Sequence, residues 1–127
     1  MEEIYTVEGI SMHPYLKQGD RVIIQRDNFS VKIGDIILLE SPHSKTPIIH
    51  RMLKAGPKGD YLKNYDHEIY HEFKIIGKYK GKLKSSNSIT PEVRLFKRIR
   101  TLLSTLNHDK LKYTNKLASL LLKVIRL

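Results

Sequence analysis

The sequence predicts a mainly β protein, a small antiparallel β domain followed by an amphipathic α-helical extension. Three observations predict it. Short apolar runs recur from Tyr5 to about Tyr79 with turn formers between them, a polar stretch over residues 80–91 ends in Thr90-Pro91, and apolar residues at helical spacing come after it.

The runs are Tyr5 to Val7, Arg21 to Ile24, Asp35 to Leu39, Pro47 to Leu53, Tyr61 to Leu62 and Phe73 to Ile76. Gly19-Asp20, Gly34-Asp35, Ser41-Pro42 and Gly56-Pro57 lie between them, and such pairs are turn chemistry. Thr90 suits a helix cap and Pro91 a first helical position, so residues 1–82 read as the β domain, 83–90 as a linker and 91–127 as a helical tail. In the tail Leu95, Phe96, Ile99, Leu102, Leu103 and Leu106 form one stripe. Asn107-His108-Asp109 interrupts, and Leu117, Leu120, Leu121, Val124 and Ile125 form a second. Two amphipathic helices or a helical hairpin satisfy that pattern.

At 127 residues the chain can bury one sizeable core but not two. Cysteine is absent, which excludes disulfides, thiolate metal sites and a cysteine nucleophile. The formal net charge is +10, and it is uneven: residues 1–84 hold 14 Lys and Arg against 11 Asp and Glu, residues 85–127 hold 9 against 2. The basic tail is therefore the part suited to an anionic membrane surface, while its apolar stripes suit packing on each other, on the β domain or on a second protomer as a homo-oligomer. Nucleic acid is disfavoured as a partner, because few aromatics accompany the basic residues and no recognition motif is present. No window approaches the roughly 20 apolar residues of a membrane span, and Met1-Glu2-Glu3 lacks the cationic start of a signal peptide. The expected location is cytoplasmic, with peripheral membrane contact through the tail.

The most informative stretch is Glu8-Gly9-Ile10-Ser11-Met12-His13-Pro14-Tyr15-Leu16-Lys17-Gln18-Gly19-Asp20-Arg21-Val22. It fits the pattern G-x-S-M-x-P…L-x-x-G-D-x-V, and Gly34-Asp35-Ile36-Ile37 and Ile48-Ile49-His50-Arg51-Met52 fit two further boxes, G-D-I-V and V-H-R. Over roughly residues 5–80 the chain thus resembles signal peptidase I-like serine peptidases and their self-cleaving repressor relatives. His50 stands where the bacterial branch has lysine, so the resemblance is to the Ser/His branch typified by the endoplasmic-reticulum enzyme.

The resemblance implies Ser11 as nucleophile and His50 as general base, and the chemistry agrees. A serine hydroxyl needs a neighbouring base, and a histidine can serve near neutral pH without the desolvation a lysine requires. The family also implies the backbone N–H of Ser11 as oxyanion donor, Gly9 as a point of close approach, and Ile10, Met12 and Pro14, with Tyr15 and Leu16, beside an extended peptide substrate. An acidic residue follows the histidine in such relatives, in a K-G-D-N-like segment. Here Tyr61-Leu62-Lys63-Asn64-Tyr65-Asp66 places Tyr65 at that position and Asp66 one residue on. One residue along a strand reverses the face, so Asp66 completes a triad only if a turn or bulge re-aims it, and a Ser/His dyad is the alternative.

The remaining polar residues have simpler readings. Asp20 and Asp35 serve glycine-aspartate turns, and His13 is a loop residue that could touch substrate. His67 and His71 stand at i and i+4 without a clustered acidic ligand set, so neither metal nor cofactor is expected. Lys54 lies four residues from His50, roughly 13 Å along a strand, too far to act on the same hydroxyl.

The function expected is a serine endopeptidase that cleaves a leader or signal segment from a peptide or small protein. A non-catalytic peptide-binding module that keeps the fold is the alternative from another class. A self-cleaving regulator is disfavoured, since no helix-turn-helix precedes the serine box and lysine is absent from the base position.

Overall fold

Ile36-Ile37-Leu38-Leu39 is apolar at every position, as befits a strand covered on both faces, and the sheet is built around it. The computed structural model of the protein describes residues 1–108, and there these residues form strand β3 (Ile36–Glu40), each at most 2% exposed. Ile36 and Leu38 join the larger core with Val7, Met12, Leu16, Val22, Ile24 and Tyr79, whereas Ile37 and Leu39 join Ile48 on the opposite face. Burial this complete stabilises by about 1.5–3 kcal/mol per aliphatic side chain, which makes β3 the anchor of both faces.

Around β3 run β1 (Glu2–Thr6), β2 (Arg21–Gln25), β4 (Ile48–Leu53), β5 (Gly56–Lys58), β6 (Lys74–Leu83) and β7 (Ile89–Thr90). Their order is β1-β2-β6-β3-β4-β5, with β7 paired to β6 and every pairing antiparallel. The mainly β expectation holds. Two register shifts, at Ile23/Ile24 and Leu38/Leu39, mark bulges where β6 meets its neighbours on each side. The register of β4 sets His50 opposite Ile37 and Arg51 opposite Ile36, so these consecutive residues face opposite sides of the sheet.

The polar stretch expected to be a linker is instead a hairpin. The end of β6, a turn with Asn87 at φ 61°, and β7 fill residues 83–90, with Lys82 and Leu83 opposite Thr90 and Ile89. Thr90 is accordingly a strand residue rather than a cap, and helix α2 (Arg94–His108) begins after it. Gly56-Pro57, expected as a turn, opens β5, where Gly56 takes φ 133°. Tyr61-Leu62 is a turn and not a strand, and the short helix α1 (Asp66–Ile69) follows it.

The stripe expected on the tail divides in the structure. Phe96, Ile99, Leu103 and Leu106 are half-buried, but Leu95 and Leu102 are 62% and 52% exposed. Polar contacts fasten α2: Lys97 donates to Asp35, Asn107 Nδ2 to the Leu62 carbonyl at 3.1 Å, and the Arg100 guanidinium lies 4.1 Å from the centre of the Tyr15 ring. Gly34 leaves room for this docking, since a Cβ there would stand 3.0 Å from Thr101 Oγ1. No helix among the described residues is long and apolar enough to cross a membrane. The second apolar series of the tail lies outside the described residues.

Candidate active site

Strand β4 carries His50 into the sheet, the loop after β1 carries Ser11, and α1 carries Asp66 at its first position. Tyr65 precedes that helix with extended backbone (φ −70°, ψ 156°) and donates its N–H to Glu68 Oε1 at 3.3 Å. The chain thus turns sharply at Asp66. The start of a helix supplies the re-aiming that a strand would have denied it.

Asp66 Oδ1 and Oδ2 lie 2.7 and 2.8 Å from His50 Nδ1, with Asp66 fully buried and His50 3% exposed. A carboxylate at that distance accepts the Nδ1 hydrogen, and in the neutral ring that tautomer gives Nε2 the lone pair. Nε2 and the Ser11 carbonyl oxygen both lie against Gly59, where a Cβ would stand 3.1 Å from the first and 2.7 Å from the second. Ser11 and His50 also line one cleft of about 490 Å³, together with β1 residues, Gly9, Ile10 and the segment from Thr46 to Ile49.

The turn from Gly59 to Leu62 closes the site. Tyr61 donates its N–H to the Ser11 carbonyl at 2.9 Å, and Asp60 donates its N–H to the Met12 sulfur at 3.5 Å. On the other face of β4, Arg51 forks onto Asp60 and Glu92 with contacts of 2.8 to 3.2 Å and donates to the Gly34 carbonyl at 2.9 Å. Burial alone would lower the Arg51 pKa, but the Asp60 and Glu92 carboxylates push it above its usual value. Its charge is therefore permanent.

The match of the chain to the family described as signal peptidase, peptidase S26, extends over residues 1–114. The chain belongs to that family. Signal peptidase I T of Bacillus subtilis (strain 168) is 32% identical over 71 residues, which make up 54% of this chain and 36% of that relative. The stretch in common is thus well under half the length of that signal peptidase. No solved structure matches significantly.

Within this signal peptidase fold the residues expected beside the substrate separate. Gly9 and Ile10 line the cleft. Gly9 has φ 77° and open space where a Cβ would be, so the residue is required by its left-handed backbone rather than by close packing within the chain. Met12 and Leu16 do not line the cleft; they are 1% and 0% exposed in the larger core, where their apolar side chains are worth most. Pro14 is exposed after a cis peptide bond to His13, and Tyr15 packs edge-on to Tyr79 with its hydroxyl 2.9 Å from that of Tyr79. His13 meets Tyr61 edge-on at 6.4 Å.

Lys54 is exposed in the turn beyond the end of β4. α1 ends at Ile69, so His67 and His71 do not share a helix; His67 stacks on Tyr65 and His71 meets His43 edge-on. Four residues of the site escaped the reading of the sequence: Lys58, Gly59, Asp60 and Glu92. The first three, followed by Tyr61, are themselves the start of a K-G-D-N-like segment, several residues before Tyr65-Asp66. Glu92 carries no motif at all.

Proposed function

We propose that this chain is a serine endopeptidase that cleaves a leader or signal segment from a peptide or small protein through an acyl-enzyme, with Ser11 as nucleophile, His50 as general base and Asp66 as the carboxylate that orients it. The single observation that carries the proposal is the buried bond between Asp66 and His50 Nδ1, at the wall of a cleft that Ser11 also lines.

As Ser11 Oγ attacks the scissile carbonyl, Nε2 of His50 takes its proton, and Asp66 stabilises the imidazolium that results. His50 returns the proton to the leaving amine, which departs as the carbonyl re-forms on Ser11. Water, deprotonated by the same ring, then releases the acyl group. The main-chain N–H of Ser11 is the donor proposed for the oxyanion, and the substrate is proposed to lie extended along β1, an edge strand whose residues face the cleft.

A binder without catalysis gives the pairing of Asp66 with His50 no chemical role, although burying that carboxylate costs desolvation. The test uses a fluorophosphonate probe and a fluorogenic extended peptide with alanine before the cut, on wild type, Ser11→Ala and His50→Ala. Wild type should label and cleave, and each variant should fall by about 10³-fold or more. Equal labelling of all three proteins overturns the reading.

A further inference from the structure

Lys58 is 0% exposed, and the reaction proposed above gives it no part. Its ammonium donates to the Gly59 carbonyl at 2.8 Å and to the Leu62 carbonyl, and Gly59 also accepts the Leu62 N–H at 3.0 Å. These bonds close the same turn that meets the nucleophile and the base. Tyr61 of that turn holds the Ser11 carbonyl, Asp60 holds Met12, and Gly59 separates the Ser11 carbonyl from His50 Nε2. Asn107 of α2 is a second donor to the Leu62 carbonyl, at 3.1 Å, so the turn is braced from outside as well.

Burying an ammonium is expensive, and a hydrocarbon of similar length would fill the space without that cost. We propose that Lys58 is a positioning residue: its charge clamps the turn of residues 59–62, which holds the Ser11 main chain and lies against the His50 ring, and thereby sets the serine hydroxyl against its base. The inference rests on the peptidase reading given above.

The charged groups that face Lys58 are Asp60 and Asp66, which favour its ammonium, and Arg51, which opposes it. Burial outweighs them and draws its pKa from 10.5 to about 8. Hydrogen bonds from a charged donor are about twice as strong as neutral ones, so the clamp weakens as pH rises through about 8. Stability moves the other way. A lysine whose folded pKa is lowered costs stability while it is charged, and that cost fades between about 8 and the unfolded value of 10.5. Over this window activity falls while the Lys58 contribution to stability improves, a separation that a purely structural lysine would not produce.

The experiment measures kcat and KM for the alanine-containing fluorogenic peptide, and the fluorophosphonate labelling rate, from about pH 7 to 9.5 on wild type, Lys58→Met and Lys58→Gln. Circular dichroism supplies the folded fraction. Wild-type kcat should decline several-fold above about pH 8. Lys58→Met should lower kcat at pH 7 by about 10- to 100-fold with KM within about 3-fold, and should lose the alkaline decline, since displacement of reacting groups by about 1 Å can cost 10²-fold. Lys58→Gln keeps two N–H donors and should recover part of the rate. A folded Lys58→Met with wild-type kcat overturns the proposal, and so, even if both variants fail to fold, does a wild-type kcat that stays flat to pH 9.5. Failure of the peptidase reading is distinct: there Ser11→Ala would label and cleave like wild type.

Discussion

His50 Nδ1 stands 2.7 Å from one oxygen of Asp66 and 2.8 Å from the other, so both carboxylate oxygens share a single ring hydrogen. An asparagine in that place can turn its NH₂ toward Nδ1, which moves the ring hydrogen to Nε2 and leaves no acceptor for the Ser11 proton. Asp66→Asn should therefore lower kcat by about 10⁴-fold with KM little changed. Steady-state kinetics on the folded variant check this, and a rate within about 3-fold of wild type would show that Asp66 does not orient the base.

Arg51 is expected to govern stability rather than catalysis. Its guanidinium is 0% exposed, and its two carboxylate partners are nearly so, Asp60 with 8% and Glu92 with 5% of the side chain accessible. Arg51→Met leaves both carboxylates buried, although Arg100 still reaches Glu92 at 3.0 Å. Breaking a buried pair in this way costs about 3–5 kcal/mol, and the midpoint of urea unfolding should fall accordingly. Arg51→Lys should restore little, because one ammonium cannot reproduce the fork onto two carboxylates.

Much of this architecture could be read from the sequence because it rests on local patterns. The unbroken run Ile36 to Leu39 announces a doubly covered strand, and the fixed spacing around Ser11 and His50 brings both residues to one cleft. The bond of Asp66 to His50 was less visible: alternation along a strand argues against it, and the helix that starts there turns its carboxylate to His50. The hairpin at residues 83–90 was hidden because its polar residues are exposed, and what holds β7 is main-chain pairing to β6. Glu92 was hidden for a different reason. Its partner Arg51 is 41 residues away, and long-range ion pairs leave no periodic trace.

Gly59 offers a test of the site's spacing that adds only one carbon. A Cβ there would lie 2.7 Å from the Ser11 carbonyl oxygen and 3.1 Å from His50 Nε2, and the first of these neighbours is backbone that cannot swing aside. Gly59→Ala should push the serine loop from the ring and reduce fluorophosphonate labelling by about 10²-fold, in line with the sensitivity of catalysis to displacements near 1 Å. Overpacking of this size costs about 1–3 kcal/mol, so a shift in thermal midpoint is expected as well. Undiminished labelling would mean that the turn of residues 59–62 is not in register with the reacting groups.

Acid should release α2 from the sheet through Asp35. Burial raises the pKa of this carboxyl, but bonds from Lys97 on α2, the Lys32 N–H and Lys78 on β6 outweigh it and hold the pKa below the ordinary value of 3.8. A carboxylate with a lowered folded pKa contributes stability that is present above the unfolded value and is lost as pH falls through the folded one. Wild type should thus lose stability below about pH 4, and Asp35→Asn, already without the charge, should be less stable at pH 7 and lose less on acidification. The Lys97 bond is the contact that ties α2 to this carboxylate, so the amides of Thr101 to Asn107 should exchange faster in Asp35→Asn at neutral pH than in wild type. If hydrogen exchange across that helix is unchanged, the bond is only superficial, and the helix is held instead by Arg100 on Tyr15 and by Asn107 on the Leu62 carbonyl.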